Sequence, residues 1–283
     1  MAVPYAHVIG DPIAQSKSPL IHKFWLKKLG IDGDYGPRQV VPADLPIYFD
    51  TQRNDPNWRG CNVTIPHKQA VLPRLDRLDP LAEKIGAVNI VVREGDALIG
   101  HNSDAPGFLE PLKPWLAGRH LLRTARIIGT GGAARAIAHA LWGEGFTLII
   151  VARDRAKAEL LANEFDRSHV YVASLASLAE PLDFDWRDTD GRLDLVVNAT
   201  SLGMTGQPPL PLDFTNVPPG AIVYDAVYAP LETPLLATAR AAGHPVVDGL
   251  DMLVGQARIA FTHFFGAVPP ADADEELRAL LLA

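Results

Sequence analysis

A lysine near a turn or a helix start can exchange protons, and Lys68 follows Cys61-Asn62-Val63-Thr64-Ile65-Pro66-His67. Period-two alternation sets Cys61, Val63 and Ile65 on one face of a strand and Asn62 and Thr64 on the other. Pro66 then predicts a helix start, with Lys68 in or near its first turn. An ammonium there opposes the helix dipole, an arrangement that suits general acid–base work. Taken alone, the position fits an ordinary solvated lysine better than a catalytic one. Other polar residues stand where packing does not ask for them. Asn89 interrupts the apolar run Ala87–Val92, and Gln256 shares a helical stripe with Met252 and Ile259. Ser16-Lys17-Ser18 and Asn102-Ser103-Asp104 each lead into a proline-containing helix. Ser18 and Asp104 are candidate N-caps, and helix N-termini also receive anions.

A second group of residues points to a dinucleotide. Gly129-Thr130-Gly131-Gly132-Ala133-Ala134 falls between a predicted strand, Ala125–Ile128, and a predicted helix, Gly132–Trp142. In that strand–turn–helix setting, G-x-G-x-x-A lets a pyrophosphate approach backbone N–H groups at the positive end of the helix. A tight turn without a ligand is the bland alternative. The next strand ends Val151-Ala152-Arg153-Asp154-Arg155, with Lys157 nearby. The Arg153 guanidinium suits a 2′-phosphate, which points to NADP. Asp154 pulls the other way, because a carboxylate facing the ribose favours NAD. Arg155 reads as the solvated face of a helix.

The elements that must position these residues form two series. Val- and Ile-rich runs recur at Tyr5–Ile9, Arg38–Val41, Asn62–Ile65 and Val88–Val92. They recur again at Ala125–Gly129, Thr147–Arg153, Leu193–Thr200, Ala221–Val227 and Pro245–Asp248. Strands alternating with helical patterns predict parallel βαβ units. The fold class is α/β with two domains. A substrate and catalytic domain spans 1–104 plus 250–283, and a Rossmann-type dinucleotide domain spans 105–249. Ala105–Leu116 reads as the helix leaving the first domain. The late helices, Asp251–Phe265 and Ala273–Leu282, are expected to return to it. A net charge of −7 excludes a general nucleic-acid partner. No stretch is long and apolar enough for a bilayer, and no signal peptide is expected. Cys61 is the single cysteine, which suits a reducing cytoplasm. The nine histidines show no ligand spacing, so no metal is expected.

Together the motifs resemble the shikimate dehydrogenase family. The resembling stretches are Val8-Ile9-Gly10-Asp11-Pro12-Ile13-Ala14-Gln15-Ser16-Lys17-Ser18-Pro19, Asn62 to Lys68, Gly86-Ala87-Val88-Asn89, Asn102 to Gly107 and Gly129 to Ala133. Asn198-Ala199-Thr200-Ser201-Leu202-Gly203-Met204, Tyr224-Asp225-Ala226-Val227-Tyr228 and Met252-Leu253-Val254-Gly255-Gln256-Ala257 complete them. The resemblance implies an oxidoreductase that reversibly reduces 3-dehydroshikimate to shikimate with NADPH. Ser16 and Ser18 would hold the substrate carboxylate, and Thr64, Asn89, Asp104, Gln256 and Tyr228 the ring hydroxyls. Lys68 and Asp104 would handle the proton. Gly129, Gly131, Gly132, Ala133, Arg153, Lys157, Asn198, Thr200, Gly249 and Met252 would line the cofactor. The chain departs from the family where Ala152-Arg153-Asp154 replaces Asn-Arg-Thr, Ser103 and Ile90 each replace a Thr, and Asp251 replaces a Gly. An NAD-preferring quinate/shikimate dehydrogenase is the nearest rival reading. A catalytically silent shikimate-binding regulator is another, which the presence of both Lys68 and Asp104 opposes. The implied protein is cytoplasmic, a monomer or homodimer, with a small-molecule substrate and no nucleic-acid or membrane partner.

Overall fold

The computed structural model describes residues 3–182 and 191–282, and it divides the chain into two compact units. The first comprises Met1–Ser103 with Val254–Ala283, and the second Asp104–Leu253.

In chain order the first unit contains β1 (Tyr5–Gly10), α1 (Ser18–Leu29), β2 (Asp34–Gln39), α2 (Leu45–Arg53) and β3 (Trp58–Val63). It continues with β4 (Arg77–Leu78), α3 (Pro80–Ile85), β5 (Ile90–Glu94) and β6 (Ala97–His101). The sheet order is β2-β1-β3-β5-β6-β4. β1 runs parallel to β2 and β3, but β5 is antiparallel to both β3 and β6. The sheet is therefore mixed, and the expectation of parallel units throughout fails here. Only Gly95 and Asp96 separate β5 from β6, and a link that short can make a hairpin but no crossover. Gly95 takes the positive φ (62°) that such a turn needs. β2 starts earlier than Arg38 and includes Pro37, which an edge strand tolerates.

Both faces of this sheet are covered. Ile9, Trp58, Cys61, Val63 and Val91 pack on one side with Tyr48, Phe49 and Val71. Ala6, Val8, Tyr35, Ile90 and Val92 pack on the other with Ala260 and Phe264. Cys61 and Val63 share a face, as alternation predicts. Ile65 does not join them: β3 has ended, and Ile65 is 67% exposed.

The second unit opens with α4 (Asp104–Leu109) and α5 (Lys113–Leu116), separated by a 3-10 turn at Glu110–Leu112. The single helix expected over 105–116 is interrupted there, because Pro111 and Pro114 cannot supply interior N–H donors. The unit continues through β7 (Leu122–Ile128), α6 (Gly132–Gly143), β8 (Thr147–Ala152), α7 (Arg155–Ala162) and β9 (Val170–Ser174). It ends with β10 (Arg192–Asn198), β11 (Ile222–Asp225), α8 (Pro234–Ala241) and β12 (Val246–Val247). The order is β12-β11-β10-β7-β8-β9, parallel at every pairing described. This is the doubly wound order, and its switch point lies between β7 and β10. α9 (Gly249–Phe265) starts in the second unit and continues into the first, where α10 (Asp274–Leu282) follows. α10 buries Leu277 and Leu281 and joins α1 through Lys28–Glu276. Among the described residues, no helix is long and apolar enough to cross a membrane.

Gly60 sits where the β1–β3 register shifts, with φ 153°. A Cβ there would lie 2.2 Å from the Val91 carbonyl oxygen and 2.7 Å from Phe264. Gly60→Ala should therefore lower unfolding stability by about 3 kcal/mol, from strain plus overpacking. A denaturation midpoint close to that of the parent would show that the strand relaxes at little cost.

Candidate functional site

The second unit presents its chemistry at the carboxyl ends of its strands. Gly129 leaves β7 with φ 123°, and a Cβ there would meet the Ala199 carbonyl at 3.0 Å. Gly131 is the N-cap of α6 in extended geometry, with no side-chain cap and no acidic residue in the first turn. A Cβ at Gly131 would meet no protein atom within 4 Å. Gly132 and Ala133 open the helix, and Ala134 and Ala136 behind them are fully buried. The first glycine thus permits the turn and the second keeps backbone N–H groups accessible. These residues fit a dinucleotide pyrophosphate.

At the end of β8, Arg153 and Asp154 have different local surroundings. Asp154 is the N-cap of α7, and its carboxylate accepts the Lys157 N–H at 3.3 Å. That carboxylate serves helix α7. Arg153 is exposed and makes no hydrogen bond or ion pair among the described residues. Lys157 lies exposed on α7, 4.0 Å from Asp154, and Arg155 pairs with Glu159 on the solvated face.

Beyond β10 and β11 a buried network shapes the loops. The Asn198 amide donates to Leu202 O and to Asp225 Oδ1, both at 2.9 Å. Its Oδ1 accepts the Thr200 hydroxyl at 2.7 Å and the Thr200 N–H at 3.1 Å. The polar atoms of Asn198 are thus committed inside the protein, and Thr200 in turn accepts Leu202 N–H. What these two offer a ligand is the shape of the loop they hold. Gly249 opens α9, where a Cβ would stand 2.5 Å from Ala226 O and 2.6 Å from Val227 O. Met252, one turn on, is buried. Tyr228 is half-buried, and burial raises its phenol above the usual value.

Sequence reasoning does not single out Asp225 and Thr233 as a scaffold. Asp225 is fully buried and accepts from Asn198, from Val227 N–H at 3.0 Å and from Thr233 Oγ1 at 2.6 Å. The available signal is a carboxylate closing the apolar run Ile222-Val223-Tyr224.

The first unit collects its polar residues along one edge of its sheet. The end of β1, the end of β3, the start of β5 and the end of β6 all reach this edge, because β5 reverses direction against β3. Asn89 accepts Ser103 N–H on Oδ1 at 2.7 Å. Its Nδ2 donates to Ser103 Oγ at 3.0 Å and to Gln256 Oε1 at 3.1 Å. Thr64 N–H bonds to Ile9 O, and Gly10 packs so closely that a Cβ would fall 2.5 Å from the Thr64 methyl.

Three expectations change at this edge and next to it. No helix starts at Pro66: residues 65–71 form turns, followed by a 3-10 helix at Leu72–Arg74. No helix dipole therefore acts on Lys68. The turn is pinned instead by Val88 N–H to Lys68 O at 2.7 Å and by His67, buried, whose Nε2–H donates to Val40 O at 2.6 Å. Ser18 is the first residue of α1 rather than its cap. The cap position falls on Lys17, and Ser16 Oγ accepts the Ser18 N–H at 3.3 Å. Asp104, only 1% exposed, is likewise the first residue of α4 rather than the residue before it.

Burial raises the Asp225 carboxyl to about 6, with its hydrogen bonds opposing the shift. An unfolded aspartate ionises near pH 4. Between that value and about 6 the unfolded chain has lost the proton that the folded carboxyl keeps, so rising pH favours unfolding. The cost reaches about 3 kcal/mol and then stays constant. Asp225→Asn removes the ionisation while retaining an acceptor. Relative to the parent, the variant should gain stability from about pH 4 to about pH 7 in urea titrations. A pH-independent difference would mean that Asp225 ionises normally.

Comparison with known proteins agrees with this arrangement. Residues 8–91 match the shikimate dehydrogenase substrate binding domain, 117–201 match shikimate / quinate 5-dehydrogenase, and 249–277 match the shikimate 5'-dehydrogenase C-terminal domain. The shikimate dehydrogenase (NADP(+)) of Sphingopyxis alaskensis is 49% identical, over 100% of this chain and 98% of its own. The structure of shikimate 5-dehydrogenase from Thermus thermophilus in complex with NADP(H) and shikimate has a TM-score of 0.83. It is 36% identical, covering 99% of this chain and 100% of its own. Quinate dehydrogenase from Corynebacterium glutamicum in complex with NAD gives 0.81 at 29% identity, with 98% and 99% covered. The chain belongs to the shikimate dehydrogenase family.

Proposed function

We propose that this protein is an NADP-dependent shikimate dehydrogenase, interconverting 3-dehydroshikimate and shikimate in the pathway to aromatic amino acids. The observation that carries the reading is the single sheet edge that gathers Thr64, Lys68, Asn89, Ser103 and Gln256. The glycine-led, uncapped start of α6 supports it independently. The solved relative from Thermus thermophilus that holds NADP(H) and shikimate also supports it.

When bound, the nicotinamide supplies the hydride. Backbone N–H groups at Gly131, Gly132 and Ala133 receive the pyrophosphate, after the turn that Gly129 permits. Arg153, with Lys157, takes the 2′-phosphate, and the loops shaped by Asn198, Thr200, Gly249 and Met252 hold the nicotinamide half. Ser16 and Ser18 donate to the substrate carboxylate, and Thr64, Asn89, Gln256 and Tyr228 orient the ring hydroxyls. Lys68 gives a proton to the carbonyl oxygen as it becomes an alcohol, and takes it back in the reverse direction. Asp104 holds the reacting hydroxyl. In this reading the enzyme works in the cytoplasm as a monomer or homodimer, without a metal.

The rival reading, NAD with quinate, rests on Asp154 facing a ribose, and the carboxylate's bond to the Lys157 N–H weighs against it. Absorbance at 340 nm tests both readings, with shikimate or quinate and NADP⁺ or NAD⁺. Reduction of NADP⁺ by shikimate is expected. Preference for NAD⁺ and quinate would transfer the assignment to the rival, and no turnover would favour a silent binder. Lys68→Ala should lower kcat by roughly 10²-fold or more with a smaller change in shikimate affinity. A near-parental kcat would remove Lys68 from the chemistry. Arg153→Ala should raise KM for NADP⁺ by roughly tenfold while leaving that for NAD⁺ nearly unchanged. Asp154→Ala should cost about 1 kcal/mol of stability without altering that preference. Equal losses for both cofactors in the arginine variant would make Arg153 an adenine-stacking residue only.

A further inference from the structure

Asn62 stands on β3 beside Val8 and Ile90, its register partners in the apolar cluster, and the proposed reaction gives it no role. Its amide is held at both ends. Tyr35 on β2 donates its hydroxyl to Asn62 Oδ1 at 2.7 Å, and Asn62 Nδ2 donates to the Asn89 carbonyl at 3.2 Å. β1 lies between β2 and β3, and its small Ala6 is the register partner of Tyr35. The phenol can therefore arch across a strand to reach the amide. His22 stacks on the Tyr35 ring at 3.9 Å and 3°, and both are fully buried. Neither ring nitrogen of His22 has a hydrogen-bond partner among the described residues. Burial depresses the imidazole to about 3, so it stays neutral, and its ring plane backs the phenol.

We infer that Tyr35 is a positioning residue for the substrate, acting through Asn62 on Asn89 and Gln256. A primary amide can turn end over end, and only its partners decide which end faces which way. A phenol donating to Oδ1 forces Nδ2 toward the Asn89 carbonyl. That carbonyl also accepts Val63 N–H at 2.8 Å, so Asn89 is fixed from two directions. The side chain of Asn89 then meets Ser103 and Gln256. Without the phenol, Asn62 Oδ1 loses that donor, and the amide is held at one end only, by the Asn89 carbonyl. The inference rests on the reading of Asn89 and Gln256 as substrate ligands.

The test is Tyr35→Phe, which keeps the stacked ring and removes one oxygen. Shikimate binding to the cofactor-free protein, measured by calorimetry, should weaken roughly five- to tenfold, and KM for shikimate should rise in step. KM for NADP⁺ and kcat should stay within about twofold, because neither depends on the aim of Asn89. Adding Tyr35→Phe to Asn62→Ala should cause no further loss, since the hydroxyl acts only through that amide. Unchanged shikimate affinity in Tyr35→Phe overturns the inference, even if the melting temperature falls. So does an undiminished loss in the Asn62→Ala background. Asn89→Ala, measured alongside, separates the two levels. If it weakens shikimate binding while Tyr35→Phe does not, only the relay is wrong. If it leaves binding intact, the reading of the site fails and the relay with it.

Discussion

A buried primary amide must satisfy two N–H donors and an oxygen, and at Asn89 that requirement organises the first unit. Its donors reach Ser103 and Gln256, its oxygen takes Ser103 N–H, and its backbone joins β3 and β6. These contacts tie together residues 89, 103 and 256, which no local rule would associate. An unmet group in such a place costs about 1–3 kcal/mol. The arrangement is correspondingly specific: the reversal of β5 brings its first residues to the edge where β1 and β3 end. Had β5 run parallel, Asn89 would lie at the opposite edge.

The second unit solves a similar problem with a carboxylate. Asp225 gathers donors from Asn198, Val227 and Thr233, so the end of β10, the loop after β11 and the start of α8 share one carboxylate. At β8 the same residue type serves the opposite end of the scale, since Asp154 is exposed and caps a helix. Local context rather than residue type determines what each aspartate contributes. At Ala152-Arg153-Asp154 the aspartate caps α7 while the arginine beside it stays exposed.

Much of this is legible in the amino-acid sequence alone. The Gly129–Ala134 turn and its flanking elements follow from local rules, and so does the alternation of Cys61 and Val63. Each depends on neighbours close in sequence. The β5–β6 hairpin also carries its signal, Gly95-Asp96, but the surrounding βαβ pattern masks it. The absent helix at Pro66 shows the limit of a positional rule: proline suits the first turn of a helix but does not create one. Here His67 and Lys68 find their partners in Val40 and Val88, far away in sequence. Asp225 is invisible as a scaffold for the same reason, because its donors lie 27 and 8 residues away as well as nearby.

The path of the chain has a consequence for synthesis. The first unit is discontinuous, with its sheet encoded before residue 104 and the helix over one face encoded after residue 253. On a ribosome the sheet emerges first, yet the face bearing Ala6, Val8, Tyr35 and Ile90 lacks Ala260 and Phe264 until the last tenth of the chain appears. The second unit is contiguous and can close as soon as its own strands are complete. The nascent segment before residue 104 therefore waits with one apolar face bare, and the unit that begins first is completed last.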